Sequence, residues 1–154
     1  MKKQLLSSVS ALAFLVLAGC SAPARQADKQ LAQQTVAAVN WFQQSGEYQA
    51  LTWQAFNSAT LAFDASAKTV RGPRAVIVDL DETMLDNSAY SAWQARYGQS
   101  FSDKTWSGWV QARQALAVPG AVPFAQYVNA HGGTMFYVSN RSVKDAAATK
   151  DNLR

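Results

Sequence analysis

Ala75-Val76-Ile77-Val78-Asp79-Leu80-Asp81-Glu82-Thr83-Met84-Leu85-Asp86 decides the fold. The stretch begins as a short apolar run rich in β-branched residues, the pattern of an interior strand of a parallel sheet. It ends abruptly in carboxylates. A buried strand runs into acids only where its open end meets a cleft that hydrates or neutralises them. In α/β sheets that carboxyl end is where ligands bind. Asp79 and Asp81 are two apart, so extended backbone sends both side chains to one face. Two converging carboxylates suit a hard cation such as Mg²⁺, or a nucleophile beside a general acid–base. The plainer alternative is a strand followed by a solvated acidic turn.

A second apolar run, Thr134-Met135-Phe136-Tyr137-Val138, also ends in polar residues, Ser139-Asn140-Arg141. Two strands with helical spacing between them predict an α/β domain. Val118-Pro119-Gly120-Ala121-Val122-Pro123 opens a helix, with Phe124, Tyr127 and Val128 as its buried stripe. A proline in the first turn gives up an N–H that has no helical partner there. His131, the chain's one histidine, falls in a glycine turn and reads as a surface residue. One histidine and one cysteine leave no case for a zinc cluster.

Asp79-Leu80-Asp81-Glu82-Thr83 resembles motif I of the haloacid dehalogenase (HAD) superfamily. The longer run through Asn87 and Ser88, with Tyr90, resembles the class C acid phosphatases, bacterial lipoproteins also described as 5′-nucleotidases. The resemblance implies a HAD-like Rossmannoid parallel sheet flanked by helices, with a helical lead-in and a small cap between the first two core strands, at about 87–118. It implies Mg²⁺-dependent phosphomonoester hydrolysis. Asp79 would attack phosphorus, Asp81 would serve as acid and base, and Thr83 would orient the loop. The metal would be held by Asp79 and Asp81, the latter through its backbone carbonyl. Ser139 matches motif II, so Ser139, Asn140 and Arg141 are expected at the phosphoryl oxygens. A helix opened by Ser142, with Asp145 three residues on, is expected to aim its N-terminus there.

Tyr90, Trp93, Tyr97, Phe101, Trp106 and Trp109 crowd the expected cap. Most read as a small core. Trp106, in a segment similar to the family's, is assigned to the substrate pocket, where an aromatic face can stack a nucleobase or aryl group. The substrates implied are small phosphomonoesters, nucleoside monophosphates including nicotinamide mononucleotide among them. The residues leave substrate and oligomeric state open. The alternative is a non-catalytic surface lipoprotein or ligand-binding module that keeps the fold.

Upstream, Met1-Lys2-Lys3 and the apolar run Leu5 to Leu17 have the form of a signal peptide over 1–19. The run closes on Leu17-Ala18-Gly19-Cys20, which resembles a lipobox; Cys20 is then a lipid attachment point and 20–27 a tether. Ser21 after it favours the bacterial outer membrane. Lys2 and Lys3 leave with the leader, so of 14 basic residues 12 remain against 10 acidic ones. That balance gives no warrant for nucleic-acid binding. Residues 28–154 form the expected catalytic domain. Gln30–Gln44 and Glu47–Lys68 read as two amphipathic helices covering the sheet.

The family's motif III lysine and motif IV acids have no match. Lys144 and Lys150 follow motif II too closely, and Asp151-Asn152-Leu153-Arg154 lacks a preceding strand and a second acid. The resemblance thus implies a C-terminally truncated fragment of the fold, inactive alone, with one apolar sheet face and one edge uncovered.

Overall fold

A computed structural model describes residues 22–154. The leader, Cys20 and Ser21 lie outside the described residues. In chain order the elements are α1 (Ala22–Gln44), α2 (Gly46–Ser66), β1 (Arg74–Val78), β2 (Leu85–Asp86), α3 (Ser88–Tyr97), α4 (Asp103–Ala112), β3 (Leu116–Ala117), α5 (Ala121–Ala130), β4 (Gly133–Tyr137), a 3₁₀ turn (Val143–Asp145) and α6 (Ala146–Asn152). The α1 helix therefore begins inside the stretch expected to act as a tether.

The two apolar runs pair as expected. β1 and β4 lie parallel, with Val76 opposite Met135 and Val78 opposite Tyr137. A short antiparallel pair, β2 with β3, brackets α3 and α4. Between β1 and β2 the chain makes one tight coil: the Leu80 carbonyl accepts from the N–H groups of Met84 and Leu85 at 2.9 and 2.8 Å. Glu82 turns that coil with φ 57°. A non-glycine residue in the left-handed region is uncommon and marks a constrained turn.

The strands are half-buried rather than interior. Val76, Val78 and Met135 pack on Phe63, Phe124 and Val128. The opposite face is open: Ile77 is 73 % and Phe136 53 % exposed. The period-two alternation of strand side chains explains this, because α2 and α5 cover the same face. Among the described residues nothing covers the other. The uncovered apolar face agrees with the expectation from sequence.

Only one lead-in helix covers the sheet. The α2 helix lays Phe56 and Phe63 against it, whereas α1 runs along α3, where Gln43 Nε2 donates to Ser88 Oγ at 3.2 Å. The break between α1 and α2 is a serine cap. Ser45 Oγ accepts from the N–H groups of Glu47 and Tyr48 at 3.1 and 3.2 Å, satisfying two donors that a helix start leaves free. Arg74 ties β1 to both flanking elements, donating to the carbonyls of Phe63 and His131 at 2.9 Å each. His131 is exposed and caps α5, as its turn position suggests.

A second apolar cluster lies under the β2–β3 pair: Leu80, Met84, Leu85, Ala115, Val118 and Ala121. It anchors the acidic coil from below, so the polar residues of that coil face outward.

Candidate active site

The β1–β4 ladder continues one step past the strands. The Val138 N–H donates to the Val78 carbonyl at 2.9 Å. Asp79 and Ser139 are the next residues of neighbouring parallel strands, so they emerge at the same end of the sheet. Asp79 is exposed there. Thr83 is half-buried within the coil, and its N–H donates to the Leu80 carbonyl at 3.3 Å. The Ser139 hydroxyl accepts from the Arg141 N–H at 3.1 Å, a local side-chain turn that shapes the loop after β4.

A cleft of about 670 Å³ opens beside this end, with Asp81, Phe101, Trp106, Asn140, Arg141 and Lys144 among its walls. Trp106 is one of those walls. Tyr90 is buried at the centre of the ring cluster. Its ring meets Trp106 edge-on at 5.2 Å, and its hydroxyl is 2.9 Å from Thr105 Oγ1. Such edge-to-face pairs stabilise beyond their buried area. Phe101 and Tyr97 stay mostly exposed.

Arg141 behaves differently from its assignment. Its side chain is only 5 % exposed. Nε donates to Asp81 Oδ1 at 3.0 Å and to Oδ2 at 3.2 Å, while Nη1 donates to Thr149 Oγ1 at 3.2 Å. Nη2 reaches Asp81 Oδ1 and, at 3.4 Å, Asn87 Oδ1. The guanidinium is therefore spent on Asp81 and its neighbours. It also lies 5.5 Å over the Trp106 ring, within reach of a cation–π attraction.

Asp145 also departs from expectation. It does not cap the turn that follows Ser142. Its Oδ1 accepts from Ser107 Oγ and Gln111 Nε2 of α4, both at 2.8 Å. Those two hydrogen bonds, Gln111's first, hold its carboxyl below the usual carboxylate range. Asp145 is buried and latches the cap helix α4 to the loop after β4. Glu82 moves the other way. Loss of hydration raises it, hydrogen bonds from Asn87 pull it back, and the charges of Asp81 and Asp86 raise it further.

Asp79 offers exposed hard oxygens, which suit Mg²⁺. The Asp81 carboxylate is engaged by Arg141 and Asn87, chiefly through Oδ1. Among the described residues no three acidic, histidine or cysteine side chains stand together to hold a metal. Asp151 does not supply the lack: it pairs with Arg113 at 3.2 Å, while Asn152 clamps the backbone of Ala115.

The comparisons with known proteins converge on one group. A family model described as HAD superfamily, subfamily IIIB (acid phosphatase), matches residues 2–154. This chain belongs to that subfamily. Two solved structures of the class C acid phosphatase from Bacillus anthracis, one with tungstate bound, superpose on the subfamily IIIB chain described here with a TM-score of 0.76 and 36% sequence identity. The match covers 80% of this chain and 52% of each of those chains. The chain spans about half the length of the solved relatives it matches. The HAD-like α/β fold expected from motif I is thereby established.

Sequence reading missed Asn87, Trp109, Thr149 and the pair Ser107–Gln111. Asn87 was inside the quoted motif, but a lone asparagine before a helix reads first as a cap. The others act across long sequence separations, which no local pattern reports.

Proposed function

We propose that the complete gene product hydrolyses phosphomonoesters through an aspartyl-phosphate on Asp79. The observation that carries this reading is the Val138–Val78 hydrogen bond, which brings Asp79 and Ser139 out together beside the cleft. The tungstate bound in the B. anthracis relative, an oxyanion shaped like phosphate, supports the same substrate class.

In this reading an Asp79 oxygen attacks phosphorus and the bond to the leaving oxygen breaks. Asp81 gives that oxygen its proton. Asp81 then takes a proton from water as the water attacks the aspartyl-phosphate, which releases phosphate and restores Asp79. The Ser139–Asn140 loop holds phosphoryl oxygens, and Trp106 packs against the leaving group. Asp79 and the backbone carbonyl of Asp81 would hold a divalent cation such as Mg²⁺, which would supply charge neutralisation at the phosphate; phosphoryl transfer depends mostly on positioning and such neutralisation. Nucleoside monophosphates are the substrate class proposed, since the aromatic wall at Phe101 and Trp106 suits a base.

We also place the protein at the bacterial outer membrane, lipidated on Cys20. No described helix is long and apolar enough to cross a membrane. Growth with labelled palmitate tests the anchor: Cys20→Ser is expected to lose the label and leave the membrane fraction, and retained label overturns it.

The activity is tested by assaying the complete gene product on p-nitrophenyl phosphate and nucleoside monophosphates, with Mg²⁺ and after chelation. Asp79→Asn is expected to abolish turnover. Undiminished turnover in Asp79→Asn would overturn the reading.

A further inference from the structure

Asn87 is 2 % exposed and sits where three parts of the molecule meet. Its Nδ2 donates to Asp81 Oδ1 at 2.9 Å. Its Oδ1 accepts from Trp109 Nε1 at 2.9 Å and from Arg141 Nη2 at 3.4 Å. Its N–H donates to Glu82 Oε1 at 3.3 Å. An asparagine amide has a donor end and an acceptor end, and either can point either way. Here the partners decide. The indole N–H and the guanidinium only donate, so the amide oxygen must face them. The nitrogen is then left for Asp81, whose carboxylate accepts.

The consequence falls on the two oxygens of Asp81. Oδ1 takes Asn87 Nδ2 and two guanidinium nitrogens. Oδ2 has one contact in the same network, Arg141 Nε at 3.2 Å. A carboxylate oxygen has about two lone-pair sites, so Oδ1 is saturated while Oδ2 keeps a site free. Asp81 is thus made asymmetric by Asn87 and Arg141.

We propose that Asn87 is a positioning residue for acid catalysis by Asp81. Its amide saturates Oδ1, Trp109 sets the direction of that amide, and Oδ2 is left to hand a proton to the leaving oxygen. This inference rests on the phosphatase reading above. It adds that the cap helix α4, through Trp109, controls the geometry of the acid rather than only enclosing the substrate.

In the proton transfer, the Oδ2–H bond breaks as the leaving oxygen gains that hydrogen and the electron pair of the phosphorus–oxygen bond. Misplacing the acid therefore matters most where the leaving group is basic. General acid assistance is worth about 10²–10⁴ in rate, so loss of its alignment alone is expected to remove part of that range.

The test uses the complete gene product and two substrates, p-nitrophenyl phosphate with a good leaving group and an alkyl phosphate with a poor one. Asn87→Ala is expected to lower kcat for the alkyl ester by about 10²-fold and for the nitrophenyl ester by about threefold, with KM little changed in both. Trp109→Phe keeps an aromatic ring at this position and removes the indole N–H, along with part of the ring system. It is expected to give the same leaving-group bias at about a tenth of the size, and it decides the matter if Asn87→Ala does not fold. Equal losses on both esters, or none, in the folded variants would overturn the positioning role. A wild-type protein without turnover on either ester would instead overturn the phosphatase reading beneath it.

Discussion

Arg141 straddles the Asp81 carboxylate, its Nε 3.0 Å from one oxygen and 3.2 Å from the other. Both side chains are largely withdrawn from water. Removing one partner of a pair in such a setting strands the other, at a cost of about 3 kcal/mol. Arg141→Met is therefore expected to lower stability by about that much. The double variant Asp81→Asn with Arg141→Met should recover part of it. Urea denaturation of the four proteins measures the coupling; additive losses would show that the pair is not coupled.

Asp145 connects the loop after β4 to α4, and the hydrogen bonds from Gln111 and Ser107 keep its carboxyl below its ordinary value. The folded value is then lower than the unfolded one. Stability from this latch is present above the unfolded value, about 3.9 for an aspartate, and is lost as pH falls through the folded one. Asp145→Asn is expected to lower Tm at neutral pH, with the gap to wild type closing below about pH 4. A gap independent of pH would show that the carboxylate charge plays no part.

Tyr48 packs its ring on Phe42 and Trp41, with centroids 4.6 and 5.2 Å away. Its buried hydroxyl has no hydrogen-bond partner among the described residues. Burial, with the charges of Asp86 and Glu82, pushes it up to about 12. An unsatisfied buried hydroxyl costs about 1–3 kcal/mol in lost hydration. Tyr48→Phe keeps the ring contacts and is expected to raise Tm by a few degrees in a thermal melt.

Gly133 opens β4 where Phe63 and Val128 close in. A Cβ there would lie 2.6 Å from Val128 Cγ1 and 2.7 Å from Phe63 Cζ. Val128 has no exposed surface and cannot retreat. Gly133→Ala is expected to destabilise by about 1–3 kcal/mol through overpacking. Gly46→Ala, where the added carbon meets nothing within 4 Å, is the control in the same denaturation series.

Local pattern accounts for much of what was found. The β-branched run into Asp79, the second run into Ser139 and the helical spacing of Phe124 and Val128 each announce an element, because hydrophobic periodicity is written within one segment. The Asp79–Asp81 motif also announces its family. The partial burial of the strands was less legible in detail. A residue such as Ile77 looks the same whether its face is covered or bare, and only the side on which α2 and α5 settle distinguishes Val76 from Ile77. Likewise Asp145 has the spacing of a capping residue after Ser142, yet α4 offers it two better donors.

From its sequence alone this protein declares two strand tips carrying Asp79 and Ser139, and the kind of chemistry those residue types suit. What folding in three dimensions decided was the partnership of Asp81 with Arg141, Asn87 and, through it, Trp109. Those partners come from separate elements, and hydrogen-bond direction depends on which donors and acceptors meet. Periodicity specifies which face of an element turns inward; it does not specify whose side chain waits there.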